Sequence, residues 1–157
     1  MPIRIADPTN AADRATIIRL NQDFAVVSDV TLSDDHAAGL DLLLQDAPNL
    51  FTFLVEDDAG RGIGYAMCQV AISSFLPGRT VNLHDIYIEE SERSRGLGRR
   101  VFEEILDEAR RRGCGKITLE VMRTNVRAQK LYRALGFGDG VPDGDGGSTW
   151  YWSMKVD

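Results

Sequence analysis

The stretch "RSRGLGRR", Arg93 to Arg100, decides how the rest of the chain is read. It sets four arginines and two glycines in eight residues of a chain whose net charge is −6. Before it, "TVNLHDIYIEE" is rich in β-branched and aromatic residues and predicts a strand. After it, "LGRRVFEEILDEARRRG" places Leu97, Val101, Ile105, Leu106 and Ala109 on one side of a helix that Gly113 ends. The stretch is therefore a strand-to-helix turn. Such a turn offers backbone N–H groups that the helix does not use, at the positive end of its dipole. Gly96 and Gly98 remove the Cβ atoms that would keep a ligand from that backbone.

Two nucleotide readings fail. A dinucleotide fingerprint needs a third glycine where "GLGRRV" has Val101, and a triphosphate loop needs a Gly-Lys-Ser/Thr that does not follow. Two readings remain from the loop alone: a turn with solvated arginines, and a metal-free cradle for a diphosphate.

Working outward, "IRIAD" alternates like a half-buried strand. "PTNAADRATIIRLNQDF" follows with Thr9 and Asn10 as cap candidates and a helical stripe of Ala11, Ala15 and Ile18. Ser33 is read as the cap of a second helix, "DDHAAGLDLLLQDA", which Pro48 follows. "FTFLVEDDAGRGIGYAMCQVAIS" has two strand-like runs around a turn and predicts a hairpin. "LPGR" (Leu76 to Arg79) breaks the chain, "CGKITLEVM" is a strand and "NVRAQKLYRALGF" a short helix. "GDGVPDGDGGS" is read as a mobile surface loop before a last strand, "TWYWSMKV". The order β-α-α-β-β-β-α-β-α-β combines a crossover with a hairpin. It predicts an α/β fold of one domain, with a mixed sheet and helices on both faces.

Size and composition agree. The chain has 157 residues, 43% hydrophobic and 27% charged, enough for a single core. Its acidity, with a pI near 4.9, argues against a nucleic-acid partner. Cys68, Cys114, His36 and His84 have no metal-ligand spacing, so no metal is expected. Neither a signal-peptide pattern nor a run of about 20 apolar residues is present, so no membrane association and a cytoplasmic location are expected.

Taken together, "LHDIYI", "RSRGLG" and "LEVMRTNVRAQKLYRALGF" resemble, in order, the signature segments of the GNAT superfamily of N-acetyltransferases. "RSRGLG" is similar to the R/Q-x-x-G-x-G/A element that holds the pyrophosphate of acetyl-CoA. Asn125, Ala128, Leu131, Tyr132, Gly136 and Phe137 stand at the family's spacings. The resemblance runs from about Leu83 to Phe137 of a single 1–157 domain. It implies a mostly antiparallel sheet with a central splayed parallel pair.

The resemblance also implies roles. Arg93, Ser94, Arg95, Gly96, Leu97, Gly98 and Arg99 would hold the pyrophosphate, mainly through backbone N–H groups. Ile86, Tyr87 and Ile88 would pair the pantetheine arm, and Asn125 and Ala128 would flank the cofactor, Asn125 doubling as a helix cap. Tyr132 takes the place of the family's general acid. The usual glutamates are missing on the central strand, where this chain has Asn82 and His84-Asp85. His84 or water is the candidate base; Asp85 points the other way along an ideal strand. The expected partners are acetyl-CoA and a small-molecule amine acceptor, in a homodimer. A non-catalytic acyl-CoA-binding module and a protein lysine or N-terminal acetyltransferase are the competing readings. "ARRRG", Arg127 and Lys130 are read as solvated helix faces, and one face of Trp150–Trp152 as core. Asp34, Asp35 and Asp46 suit a cationic acceptor or a solvated face equally.

Overall fold

A computed structural model of the chain describes residues 1–74, 78–138 and 149–157. The elements run β1 (Ile3–Ile5), α1 (Ala11–Val27), α2 (His36–Gln45), β2 (Leu50–Glu56), β3 (Gly62–Ser73), β4 (Gly78–Ile88), α3 (Leu97–Arg111), β5 (Cys114–Met122), α4 (Val126–Ala134) and β6 (Thr149–Lys155). A short 3-10 turn, Glu90–Glu92, lies between β4 and α3. This is the mixed α/β order expected from the sequence. The strands form one mostly antiparallel sheet in chain order, with a parallel β4–β5 pair. Most of the expected 138–148 loop and part of "LPGR" lie outside the described residues, and β4 begins at Gly78, ahead of the expected Thr80.

The chain forms two compact units, neither of them a continuous segment: Met1–Met67 with Asp85–Arg95, and Cys68–His84 with Gly96–Asp157. In the first, Ala6, Ile17, Leu20, Leu44, Leu54, Tyr65, Met67 and Tyr87 build a core. Burying a side chain such as Leu20 contributes about 2 kcal/mol. Asn10 caps α1, its side-chain oxygen accepting from the Ala12 N–H at 2.8 Å. The buried stripe of α1 is Asp13, Ile17, Leu20 and Ala25, not the expected Ala11–Ala15–Ile18 face. Asp13 settles the rotation: its carboxylate takes both terminal nitrogens of Arg4 at 2.7 Å and the Asp7 N–H at 2.8 Å. A charge buried with three donors holds this face of the helix toward β1.

Ser33 does not cap α2. The N-cap is Asp35, and the Ser33 hydroxyl donates to its carboxylate at 2.7 Å. The β2–β3 hairpin turns on Asp57, whose carboxylate accepts from the N–H groups of Ala59 and Arg61 at 3.0 and 2.9 Å.

In the second unit, β4 pairs β5 from Arg79↔Cys114 to Leu83↔Leu119, and β4 runs on to Ile88. β5 pairs β6 from Lys116↔Lys155 to Met122↔Thr149. Val81, Leu83, Ile117, Leu119 and Trp152 are buried along these strands. α3 presents Leu97, Val101, Phe102, Ile105 and Ala109 to the interior. Its basic end is ion-paired rather than merely solvated: Arg111 and Arg112 both hold Glu108 at 2.7 Å. Among the described residues, no helix is long and apolar enough to cross a membrane, and no cluster of three or more His, Cys, Asp or Glu side chains could hold a metal ion.

Candidate active site

In the first unit the relevant segment is the end of β4 and the turn after it. The Tyr87 side chain is core, stacked on Phe24 with ring centroids 5.6 Å apart. What Tyr87 and its neighbours can offer a ligand is therefore backbone. β3 approaches that backbone closely at Gly64, where a Cβ would stand 2.8 Å from the Tyr87 carbonyl oxygen. Only glycine allows this approach. The Glu89 N–H closes the contact by donating to the Ile63 carbonyl at 2.9 Å.

Arg93 and Arg95 bond to protein partners in this turn. Arg93 Nε donates to the Ile88 carbonyl at 2.8 Å, with its guanidinium 5.7 Å from the centre of the Tyr87 ring. Arg95 bonds Glu92 at 2.6 Å. Arg93 thus occupies a carbonyl of the strand edge expected to meet the pantetheine arm, and it braces the turn. Ser94 follows at φ 68°, a conformation costly for a residue with a Cβ.

In the second unit the same backbone continues into α3. Gly96 is the N-cap, at φ 75°, and no side chain caps the helix. A Cβ added there would meet nothing within 4 Å, so the space beside it is open. The first turn holds Arg99 and Arg100 and no acidic residue. Basic residues at the positive end of a helix dipole oppose that dipole, whereas an anion suits it. Leu97 anchors this turn by its buried side chain, 3% exposed. Gly98 has a packing reason: a Cβ there would come within 3.1 Å of Leu131 on α4.

Asn125 caps α4 by accepting from the Ala128 N–H at 3.1 Å. Its amide oxygen is used in this way, leaving the amide NH2 as the group that would donate to a cofactor. Gln129, which sequence reasoning missed, is buried and donates to the carbonyls of Met122 and Arg123 at 3.0 and 2.9 Å. It ties the end of β5 to the start of α4 and so sets Asn125. Tyr132 is 5% exposed, edge-on to Phe137 and Trp152 at 5.7 and 6.3 Å. Burial pushes its phenol up to about 12. It therefore holds its proton at neutral pH, the state an acid needs. Trp152 is fully buried and stacks on Trp150, while Tyr151 on the opposite face is half exposed. His84 is exposed, and Asn82 is tied across the parallel pair to Thr118 at 3.0 Å.

The sequence model of the Acetyltransferase (GNAT) family matches residues 17–137, a span that holds most of α1, the start of α3, Asn125 and Tyr132. The chain belongs to the GNAT acetyltransferase family. Among GNAT relatives it is 34% identical to the thialysine N-epsilon-acetyltransferase of Bos taurus over 77 residues, 49% of this chain and 45% of that enzyme. The matched region thus spans about half the length of that relative. It is 30% identical to the L-methionine sulfoximine/L-methionine sulfone acetyltransferase of Salmonella typhimurium over 141 residues, 87% of this chain and 80% of that enzyme. Its fold is that of the crystal structure of the NatC complex bound to Gag peptide and CoA. There the TM-score is 0.73 at 18% identity, with 100% of both chains covered.

Proposed function

We propose that the protein is an acetyl-CoA-dependent N-acetyltransferase that modifies a primary amine of a small molecule. The observation that carries this reading is the start of α3 within the family match: an uncapped N-terminus, Gly96 at positive φ facing open space, and no acidic residue in the first turn. Bound acetyl-CoA would supply the acetyl thioester. The N–H groups from Ser94 to Arg99 hold its pyrophosphate, and the β4 backbone at Ile86 and Tyr87 orients its arm. Asn125 donates to that arm. His84, or water beside it, takes the proton of the attacking amine as the N–C bond forms. Tyr132 gives its proton to the sulfur as the C–S bond breaks, so the proton count closes. The homodimer is part of the proposal, and a monomer mass by light scattering would remove it.

Thiol release on an amine panel tests the reading. Tyr132→Phe should lower kcat about 100-fold with the acetyl-CoA affinity kept. Unchanged turnover sinks the acid assignment. Acetyl-CoA binding without amine-dependent thiol release would favour a non-catalytic acyl-CoA-binding module instead.

A further inference from the structure

Five charged side chains of the first unit alternate in sign across α1, the β2–β3 turn and the end of β4. Arg19, on α1, holds Asp23 of the same helix at 3.0 Å and Glu89 at 3.1 Å. Arg61, in the β2–β3 turn, donates to both carboxylate oxygens of Glu89 at 2.8 and 2.9 Å and pairs Asp57 at 3.3 Å. Glu89 is the first residue after β4, and its carboxylate is where α1 and the hairpin meet. We propose that Glu89 is a positioning residue: clamped between Arg19 and Arg61, it fixes the backbone of Ile86 to Ile88 in the form that the pantetheine arm of acetyl-CoA requires. The proposal rests on the acetyltransferase reading and adds to it a residue that touches neither cofactor nor acceptor.

The clamp supplies order before binding. A strand edge that is to pair a ligand must keep its N–H and C=O groups for that ligand, so no neighbouring strand can hold it on that side. Its order has to come from its other edge and from its end. The other edge is β3, brought close at Gly64, and the Glu89 N–H donates to the Ile63 carbonyl at 2.9 Å. Those contacts tie the segment to β3 alone. The Glu89 side chain ties it to α1 as well, through an arginine that is itself fixed: the second terminal nitrogen of Arg19 donates to the Gly62 carbonyl at 2.5 Å. Arg19 and Arg61 are 42% and 53% exposed, but the Glu89 side chain between them is only 16% exposed. The shared carboxylate is therefore less screened than an open surface pair.

The sign of the effect separates positioning from simple electrostatics. Acetyl-CoA is a polyanion, so removing a carboxylate near its arm would, through lost repulsion alone, tighten its binding. Removing a positioning residue weakens it, because binding must then order a segment that was ordered in advance. Glu89 is committed to this task, since both of its oxygens already accept from guanidinium groups. An ion cluster with only a stabilising role would change unfolding and leave the affinity of the folded protein alone.

Calorimetry with acetyl-CoA and hydrogen exchange, both on the full chain, test it. Glu89→Gln, which keeps the side-chain shape, should weaken acetyl-CoA binding about fivefold. In the free protein it should speed exchange across Ile86 to Ile88, and saturation with acetyl-CoA should remove the difference. Arg61→Gln should weaken binding by a similar factor. Arg61→Lys should restore it to within about twofold, because one Arg61 nitrogen serves both Glu89 oxygens and a single cation can replace it. Combining Glu89→Gln with Arg61→Gln should cost no more than Glu89→Gln alone, since the contact is shared. The proposal is overturned if Glu89→Gln binds acetyl-CoA as tightly as the wild type or more tightly, or if exchange in the free variant is unchanged. It is likewise overturned if the two substitutions add in full, or if Arg61→Lys binds no better than Arg61→Gln. If Glu89→Gln does not fold, the comparison of Arg61→Gln with Arg61→Lys decides by itself. Failure of the wild type to bind acetyl-CoA at all would instead sink the acetyltransferase reading.

Discussion

Asp13 shows how one residue sets the geometry of the first unit. It is 4% exposed, yet its pKa is lowered, first by the hydrogen bonds from Arg4. A carboxylate whose folded-state pKa is depressed contributes stability above its unfolded value of about 4. That contribution is lost as pH falls through the folded-state pKa. Asp13→Asn keeps the shape and removes the charge, and should cost about 3 kcal/mol at neutral pH. Urea unfolding should show the gap between variant and wild type closing below about pH 4. An equal gap at low pH would contradict the assignment. Tyr132 makes a second residue-scale prediction. With its phenol near 12, kcat should show no alkaline loss from this group between about pH 7 and about pH 10. A tyrosine-dependent fall within that range, absent in Tyr132→Phe, would contradict its burial.

At the scale of elements, the start of α3 and the β3–β4 contact depend on glycine for different reasons. Gly96 has open space beside it but a positive φ, so Gly96→Ala adds backbone strain alone. It should cost about 1 kcal/mol of stability, read as a lower thermal midpoint, and weaken acetyl-CoA binding as the cradle relaxes. Gly64 has an ordinary φ but no room, since a Cβ would press on the Tyr87 carbonyl at 2.8 Å. Gly64→Ala must therefore push β3 from the end of β4. Hydrogen exchange at the Glu89 amide, bonded to the Ile63 carbonyl, should accelerate; protection equal to the wild type would show that the strands tolerate the methyl. Gln129→Leu keeps helix α4 while removing both links to β5. It should lower acetyl-CoA affinity through Asn125 more than it lowers stability.

For the whole molecule, both thiols lie inside. Cys68 is 0% and Cys114 3% exposed, and burial pushes both thiols upward. Neither should react with a thiol reagent in the native state, and both should react in denaturant. A fast native thiol would contradict the packing of β3 or of the start of β5. Much of this architecture is legible locally. The order of the elements, the hairpin, and the α3 face of Leu97, Val101, Ile105 and Ala109 follow from periodicity and turn residues close in sequence. So do the strand-to-helix turn before α3 and the Asn125 cap, because each lies within one short segment. What the sequence by itself determined is this series of locally encoded pieces and their family. Tertiary structure alone decided which way α1 turns, that Asp35 rather than Ser33 caps α2, and that Arg93 and Arg95 are held by protein. It also brought Arg19 and Arg61 onto Glu89, and Asn21 against Tyr65. The reason is physical: these outcomes depend on individual hydrogen bonds and buried charges, some between near neighbours such as Ser33 and Asp35 and others between residues far apart such as Asn21 and Tyr65. Such pairs leave no periodic trace, and they form only when the backbone brings their donors and acceptors within reach.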